Sequence, residues 1–281
     1  MAAGGPAGEA EDGVVRDTEA RPLRFLLGGH DLEMLAIREL LELTGARFHD
    51  KHLPWGAKAS DYLCEIEAAK SAGETPVLIE LEPDLPDLEG AVLVDHHGAR
   101  AGADKPTSLH QIFDLLGLPQ QEWTRWFDLV AANDRGYIPE LLAIGATREE
   151  IIRIRAADRA AQGIAPEEEA QGEEAVKRLQ SRAGGRLHVV ELPHARTATV
   201  ADRLESALGG PGYTNLLVVS PMQVNFFGQG KIIEALNRRY PSGWYGGALP
   251  ERGFWGHGAP APPLGELVQV LEEMLAPAGS G

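Results

Sequence analysis

Three short apolar runs constrain the fold of this chain most: Leu23-Arg24-Phe25-Leu26-Leu27, Pro76-Val77-Leu78-Ile79-Glu80-Leu81 and Ala91-Val92-Leu93-Val94. Each is too short for a helix, and together they are rich in aliphatic side chains. Runs of this kind are the strands of a buried parallel sheet. Helical spacing surrounds them, around Leu32 to Leu43, Ala57 to Ser71 and Thr107 to Leu116, the last with Leu109, Ile112, Phe113 and Leu116 on one face. Phe48 to Trp55 is expected to be a polar, His-containing loop. Strands alternating with helices predict an α/β fold.

Each run ends in polar residues. Gly28-Gly29-His30-Asp31-Leu32-Glu33 follows the first, Glu80 and Glu82 close the second, and Asp95-His96-His97 follows the third. Parallel strands deliver their carboxyl ends to one edge of the sheet, where such folds bind ligands. Neutral imidazoles and carboxylates suit Mn, Zn and Fe, and two adjacent buried His rings both need partners. Later, Asn133-Asp134-Arg135-Gly136-Tyr137 brings another acid out of an apolar stretch. Taken singly, each feature also reads as something bland: an acidic first helical turn, an acid at a strand end, a C-cap with an ion pair. Taken together they predict one site, where two metal ions about 3.5–4 Å apart would activate a water and clamp a phosphoryl group. Strand register decides whether Glu80 or Glu82 faces that site, because a slip of one residue reverses the face.

Bulk properties narrow the partners. With 281 residues and 43% hydrophobic content the chain can bury a sizeable core. No apolar run approaches the ~20 residues of a membrane span, so no membrane partner is expected. Met1 to Arg21 (1–21) is expected to be a disordered tail without signal-peptide order. The lone Cys64 excludes an internal disulfide, fits a reducing cytoplasm, and is expected to serve packing. A formal net charge of -16 argues against sequence-blind binding of long duplex nucleic acid, which needs a basic face. A small or short phosphorylated substrate, met by local cations and a metal, fits better. A homodimer is compatible with the sequence.

Helical pattern continues from Glu122 to about Gln162, with Thr147-Arg148-Glu149-Glu150 as a capping box and Arg148 to Arg159 expected to be a solvated face. Pro166 opens a polar helix read as a connector, 166–184, so that the first domain spans 22–165. A smaller second α/β domain is expected over 185–281, with strands at Leu187 to Leu192 and Asn215 to Ser220 and helices at Thr199 to Leu208, Lys231 to Tyr240 and Leu264 to Leu275. Ser242 to His257 is dense in glycine and aromatics. Its amides can form an anion nest, Arg252 can hold a phosphate, and Trp244, Tyr245 or Trp255 can stack a base. The alternative is a packed loop whose aromatics plug the domain. Asn225-Phe226-Phe227-Gly228 is placed along the same cleft.

The order of these features resembles the DHH phosphoesterase superfamily, over roughly Leu23 to Gln162. That group includes RecJ-type exonucleases, enzymes that degrade very short RNA, cyclic-dinucleotide phosphodiesterases and manganese inorganic pyrophosphatases. Many members carry a second domain with a Gly-Gly-Gly-His segment, and Ser242 to His257, with Gly246-Gly247 and His257, looks like a diverged form of it. The resemblance implies a parallel-sheet domain, a smaller α/β domain and an active site in the cleft between them. It implies Asp31, Glu33, Glu80, His96 and Asp134 as metal ligands, with His30 standing in for the family's metal-binding His. His97 would contact the scissile phosphate, Asp95 would orient a His ring, and Arg135, Trp244, Gly246, Gly247, Arg252 and His257 would bind substrate. Two Mn2+ ions are implied, with Mg2+ or another divalent ion open. Two departures stand out: the family's His lies several residues before the acid pair, where Leu27 or a neighbour stands here, and Glu replaces Asp at Glu33 and Glu80. The implied activity is metal-dependent hydrolysis of a short oligonucleotide, dinucleotide or small phosphorylated metabolite. The alternative is a nucleotide- or phosphate-binding protein that keeps the fold around a degenerate metal centre.

Overall fold

The computed structural model describes residues 21–102 and 104–276, so all of the expected tail except Arg21 lies outside them. Strands β1 (Leu23–Leu27), β2 (Arg47–Asp50), β3 (Thr75–Ile79) and β4 (Val92–Val94) form a four-stranded parallel sheet in the order β2-β1-β3-β4. Val77, Leu78 and Ile79 are at most 1% exposed, and each such burial is worth about 1.5–3 kcal/mol.

Strand β2 corrects the loop expected from Phe48. It pairs with β1 through Phe25 and Phe48, and its polar sequence suits an edge strand, which meets the core less fully. Helix α1 (Leu32–Thr44) starts where the Asp31 carboxylate accepts from the Met34 amide at 2.8 Å and stops at Gly45 with φ 66°. Helix α2 (Leu63–Ser71) follows a short 3-10 turn, Ala59–Tyr62. Cys64 lies on its exposed side, so the expected packing role is corrected: the thiol is free and in solvent.

Helices α3 (Ser108–Leu115), α4 (Arg125–Ala143) and α5 (Arg148–Ala161) complete the first layer. The Thr147–Glu150 capping box forms as expected, with bonds of 2.8 and 3.2 Å. Helix α4 is kinked at Tyr137 (φ 61°, ψ -147°), just before Pro139, which has no amide to donate.

Segment 166–184 is not a free connector. Helix α6 (Pro166–Lys177) packs on α7 (Ala198–Leu204) and buries Ala175, and β5 (Gln180–Arg182) joins the second sheet. That sheet continues with β6 (Leu187–Glu191), β7 (Leu216–Val219), β8 (Gln223–Gln229), β9 (Trp244–Gly246) and β10 (Arg252–Gly258), in the order β5-β6-β7-β8-β10-β9. Helices α8 (Gly230–Arg239) and α9 (Leu264–Met274) cover its other face around Phe226, Trp255 and Leu271. Much of the glycine-aromatic segment is thus strand, not loop. Its apolar and glycine positions do not alternate simply, because glycines stand wherever a ring crosses the sheet: a Cβ at Gly256 would come 2.3 Å from the Trp244 indole.

The turn after β1 depends on another glycine. A Cβ on Gly28 would lie 2.7 Å from the Glu80 carbonyl oxygen, where Glu80 itself holds φ 52° at the end of β3. Gly28→Ala is expected to cost about 1–3 kcal/mol, measured as an earlier urea midpoint with an unchanged slope. An unshifted midpoint would show that this turn tolerates a side chain.

Candidate metal centre

The carboxyl ends of β1, β3 and β4 bring the acid and His residues to one edge, facing the second sheet. Around His96 Nε2 stand Glu33 Oε2 at 3.3 Å, Glu80 Oε1 at 3.4 Å and Asp134 Oδ2 at 2.5 Å. Ligand atoms of Glu80, His96, His97 and Asp134 all lie within 4.8 Å of one another. These groups are close enough to attract as charges, yet Glu33 Oε2, His96 Nε2 and Asp134 Oδ2 are buried without an aligned hydrogen-bond partner. Buried polar atoms are rarely left so. Lone pairs converging on one point, from oxygen and imidazole nitrogen donors, are what a divalent cation such as Mn2+ requires, so the residues present fit one.

Surrounding groups fix these donors. The amide of Leu109, in the first turn of α3, donates to Glu33 Oε1 at 3.1 Å, and the Ser108 hydroxyl donates to Glu80 Oε1 at 2.7 Å. The positive end of α3 therefore points at the acid cluster. Asp95 Oδ1 accepts from the His97 amide at 2.9 Å and lies 3.1 Å from its Nδ1, while Arg100 holds the other Asp95 oxygen. Asp95 thus sets the ring orientation of His97. Ser108 escaped the sequence reading because nothing local distinguishes it from an ordinary helix start.

Electrostatics follow from the crowding. Burial, then Asp134 and Glu80, push the Asp31 carboxyl well above the usual range. Burial opposes the charged form of His96, but Asp134 and Glu33 outweigh it and raise that imidazole well above its ordinary value. For His97 burial is likewise outweighed, by Glu80 and Asp95, and its value rises to about 9. Burial would raise Asp95, yet its bonds to His97 hold it low.

A raised His contributes stability that is complete below its ordinary value and is lost as the pH climbs through the folded value. In EDTA, melting temperature is therefore expected to fall as pH rises from 6.5 to about 9. Mn2+ competes with those protons and binds more tightly across the same window. At about 100 times its Kd it should add roughly 2.7 kcal/mol, read as a higher melting temperature at pH 8. Identical melts with Mn2+ and with EDTA would deny the site its ion.

Not every expected residue arrives. His30 is exposed, with its ring edge-on to His52 at 5.6 Å, and stands outside the converging donors. Leu27 is fully buried at the end of β1 and its carbonyl accepts from the Tyr62 hydroxyl. Glu80, not Glu82, faces the centre; Glu82 pairs with Lys58 at the surface. Arg135 is engaged by Glu140 at 2.9 Å and by the Lys105 carbonyl. His257 contacts Ser242 and the Gly258 carbonyl, on the Trp255 side of β10 and away from the centre. Gly246 lies against His97, where a Cβ would be 3.4 Å from the ring, and Gly247 holds φ 105°.

Between the sheets lies a cavity of about 220 Å3, with Asp31 and Asp134 on one wall and Phe227, Gly247, Arg252 and Phe254 on the other. Arg155 also borders it. The expectation of a solvated Arg148 to Arg159 face fails there: Arg155 and Asp158 are 3% and 6% exposed. Arg155 donates to Asn133, Asp158 and Asp202, and Arg159 pairs with Asp202 as well.

No family model matches this sequence, and no curated protein matches it. Solved structures do. One is a DHH domain described as a member of the s1p family of ribosomal proteins, at 12% identity over 91% of this chain and 87% of that chain, with a TM-score of 0.53. Another is RecJ from Thermus thermophilus in complex with Mn2+, at 14% identity and a TM-score of 0.51, covering 91% of this chain and 52% of that chain. The chain therefore spans about half the length of that RecJ. It has the two-sheet fold of the DHH phosphoesterase superfamily. No helix among the described residues is long and apolar enough to cross a membrane.

Proposed function

We propose that this protein is a metal-dependent phosphoesterase acting on a short or small phosphorylated substrate held between the two sheets. The observation that carries the proposal is the convergence of Glu33, Glu80, His96, His97 and Asp134, with three buried donor atoms lacking hydrogen-bond partners, at the sheet edge where α/β folds bind ligands. Glu33, Glu80, His96 and Asp134, with Asp31 beside them, would hold Mn2+ or Mg2+. The ion would supply Lewis-acid polarisation of phosphorus and an acidified water.

This chain's own groups do the rest. His97, kept protonated by Glu80 and Asp95, places a charged N–H at the cleft where a phosphoryl oxygen would gain charge. Asp95 and Arg100 prevent that ring from turning. Gly246 lets the second sheet approach His97, and Arg252 offers a cation on the opposite wall. Closure between the sheets keeps bulk water from the reacting centre.

Hydrolysis of pyrophosphate, a linear dinucleotide and short RNA, each with Mn2+, Mg2+ or EDTA, tests this. Cleavage that needs the metal supports the proposal. A second reading, a binding protein with a weakened centre, is favoured by one observation: His30 stands away and buried Leu27 supplies no ligand. No cleavage of any substrate, with less than one Mn2+ bound per chain, would select that reading.

A further inference from the structure

The rim of the cleft beside His97 is aromatic. The Trp55 ring stands edge-on to His97 at 5.9 Å and meets Trp244 at 5.3 Å, while Phe254 lies 6.3 Å from His97. Trp55 sits on a polar loop of the first domain and is 45% exposed, so it adds little to any core. Trp244 belongs to the second sheet, and β10 leaves space for it: only glycine at 256 lets the indole cross the strand. Gly246 does the same for Phe254, whose ring a Cβ there would meet at 2.8 Å.

Asn225 adds an independent observation. It pairs with Gly256 in the sheet register and shares its strand face with Phe227, which lines the cavity. It is 7% exposed, and its Nδ2 has no hydrogen-bond partner. A buried amide with nothing to donate to is costly, and a ligand edge would remove that cost.

We infer that Trp55, Trp244 and Phe254 hold a nucleobase beside the phosphate at His97, so that the substrates are nucleotides and not inorganic phosphate chains. A polyphosphate carries charge on every unit and is held by rows of cations. This rim presents π faces instead, on which any base stacks. Trp55 and Trp244 come from different domains, so a base between them also ties the cleft shut. The inference names the substrate class of the proposed phosphoesterase and rests on that reading for the phosphate at His97, but base binding itself needs no catalysis.

The test is titration with adenosine and with ribose in EDTA, followed by tryptophan fluorescence, for the wild type, Trp55→Ala and Trp55→Phe. Adenosine is expected to bind at least about tenfold more tightly than ribose. Trp55→Ala should weaken adenosine about tenfold and Trp55→Phe should restore most of it. Equal binding of the two probes, or unchanged adenosine affinity in Trp55→Ala, overturns the inference. In Mn2+, Trp55→Ala should raise KM for a dinucleotide with kcat within about twofold. Selective adenosine binding without any hydrolysis would sink the proposed activity and leave the base site standing.

Discussion

His96→Ala is expected to lower Mn2+-supported hydrolysis about 10³-fold, equivalent to roughly 4 kcal/mol of transition-state stabilisation. His96 is the residue on which three carboxylates converge, at 2.5–3.4 Å from its Nε2. Without it the donor set loses a nitrogen ligand, and the ion's power to polarise phosphorus, worth several kcal/mol, is lost with it. The variant has a second readout. In the metal-free protein the imidazole is held charged by Asp134 and Glu33, so its removal leaves buried acids facing one another. Breaking a buried charge pair in this way costs about 3–5 kcal/mol. Melting temperature in EDTA should therefore drop, and addition of Mn2+ should recover less of it than in the wild type. Full activity in His96→Ala would remove the centre from the chemistry altogether. Asp95→Asn is the milder companion: it keeps the backbone turn at His97 but weakens the hold on its ring, and a loss of 10–100-fold is expected for a partner of that kind.

Arg155→Leu is expected to destabilise the folded protein by about 3–5 kcal/mol. Its guanidinium donates to Asn133 at 2.8 Å, Asp158 at 2.7 Å and Asp202 at 3.0 Å, and lies 4.2 Å from the Tyr137 ring centre. Leucine would leave Asp158 and Asp202 buried, with only part of their charge met by Arg159. The consequence extends beyond stability. Asp202 belongs to α7 in the second domain and Arg155 to α5 in the first, so this pair holds the two sides of the cleft in register. Arg155→Lys keeps the charge but not the planar fork and should recover only part of the loss. Combining Arg155→Leu with Asp202→Asn should cost less than the sum of the two, the signature of direct coupling. A midpoint in urea for Arg155→Leu equal to that of the wild type would show that the network contributes nothing.

Local sequence was a good guide where one face of an element meets one environment. The apolar runs at Leu23, Pro76 and Ala91 became parallel strands because chemistry that buries both faces leaves few alternatives. The polar residues ending them were legible as a site for the same topological reason. Strand β2 was not legible, because a polar edge strand carries no apolar period. Neither were β9 and β10, where glycine accommodates rings from neighbouring strands and the alternation is lost. His30 had the right type in the right segment, yet the chain turns it toward His52. Trp55 and Ser108 gave no local signal at all, since each matters only through what a distant segment places beside it.

The sequence by itself determined that a parallel sheet would gather Asp31, Glu33, Glu80, His96 and Asp134 at one edge, because strand direction and the turn after each strand are local properties. It also determined the ends of α1 and α5, which their caps specify within four residues. Only the tertiary structure decided which donors meet at one point, that Glu80 and not Glu82 turns inward, and that Arg155 is a buried link between domains. Those outcomes depend on register, on kinks such as that at Tyr137, and on how one domain seats against the other. Such long-range geometry is set by the packing of the whole chain, and no window of residues carries it.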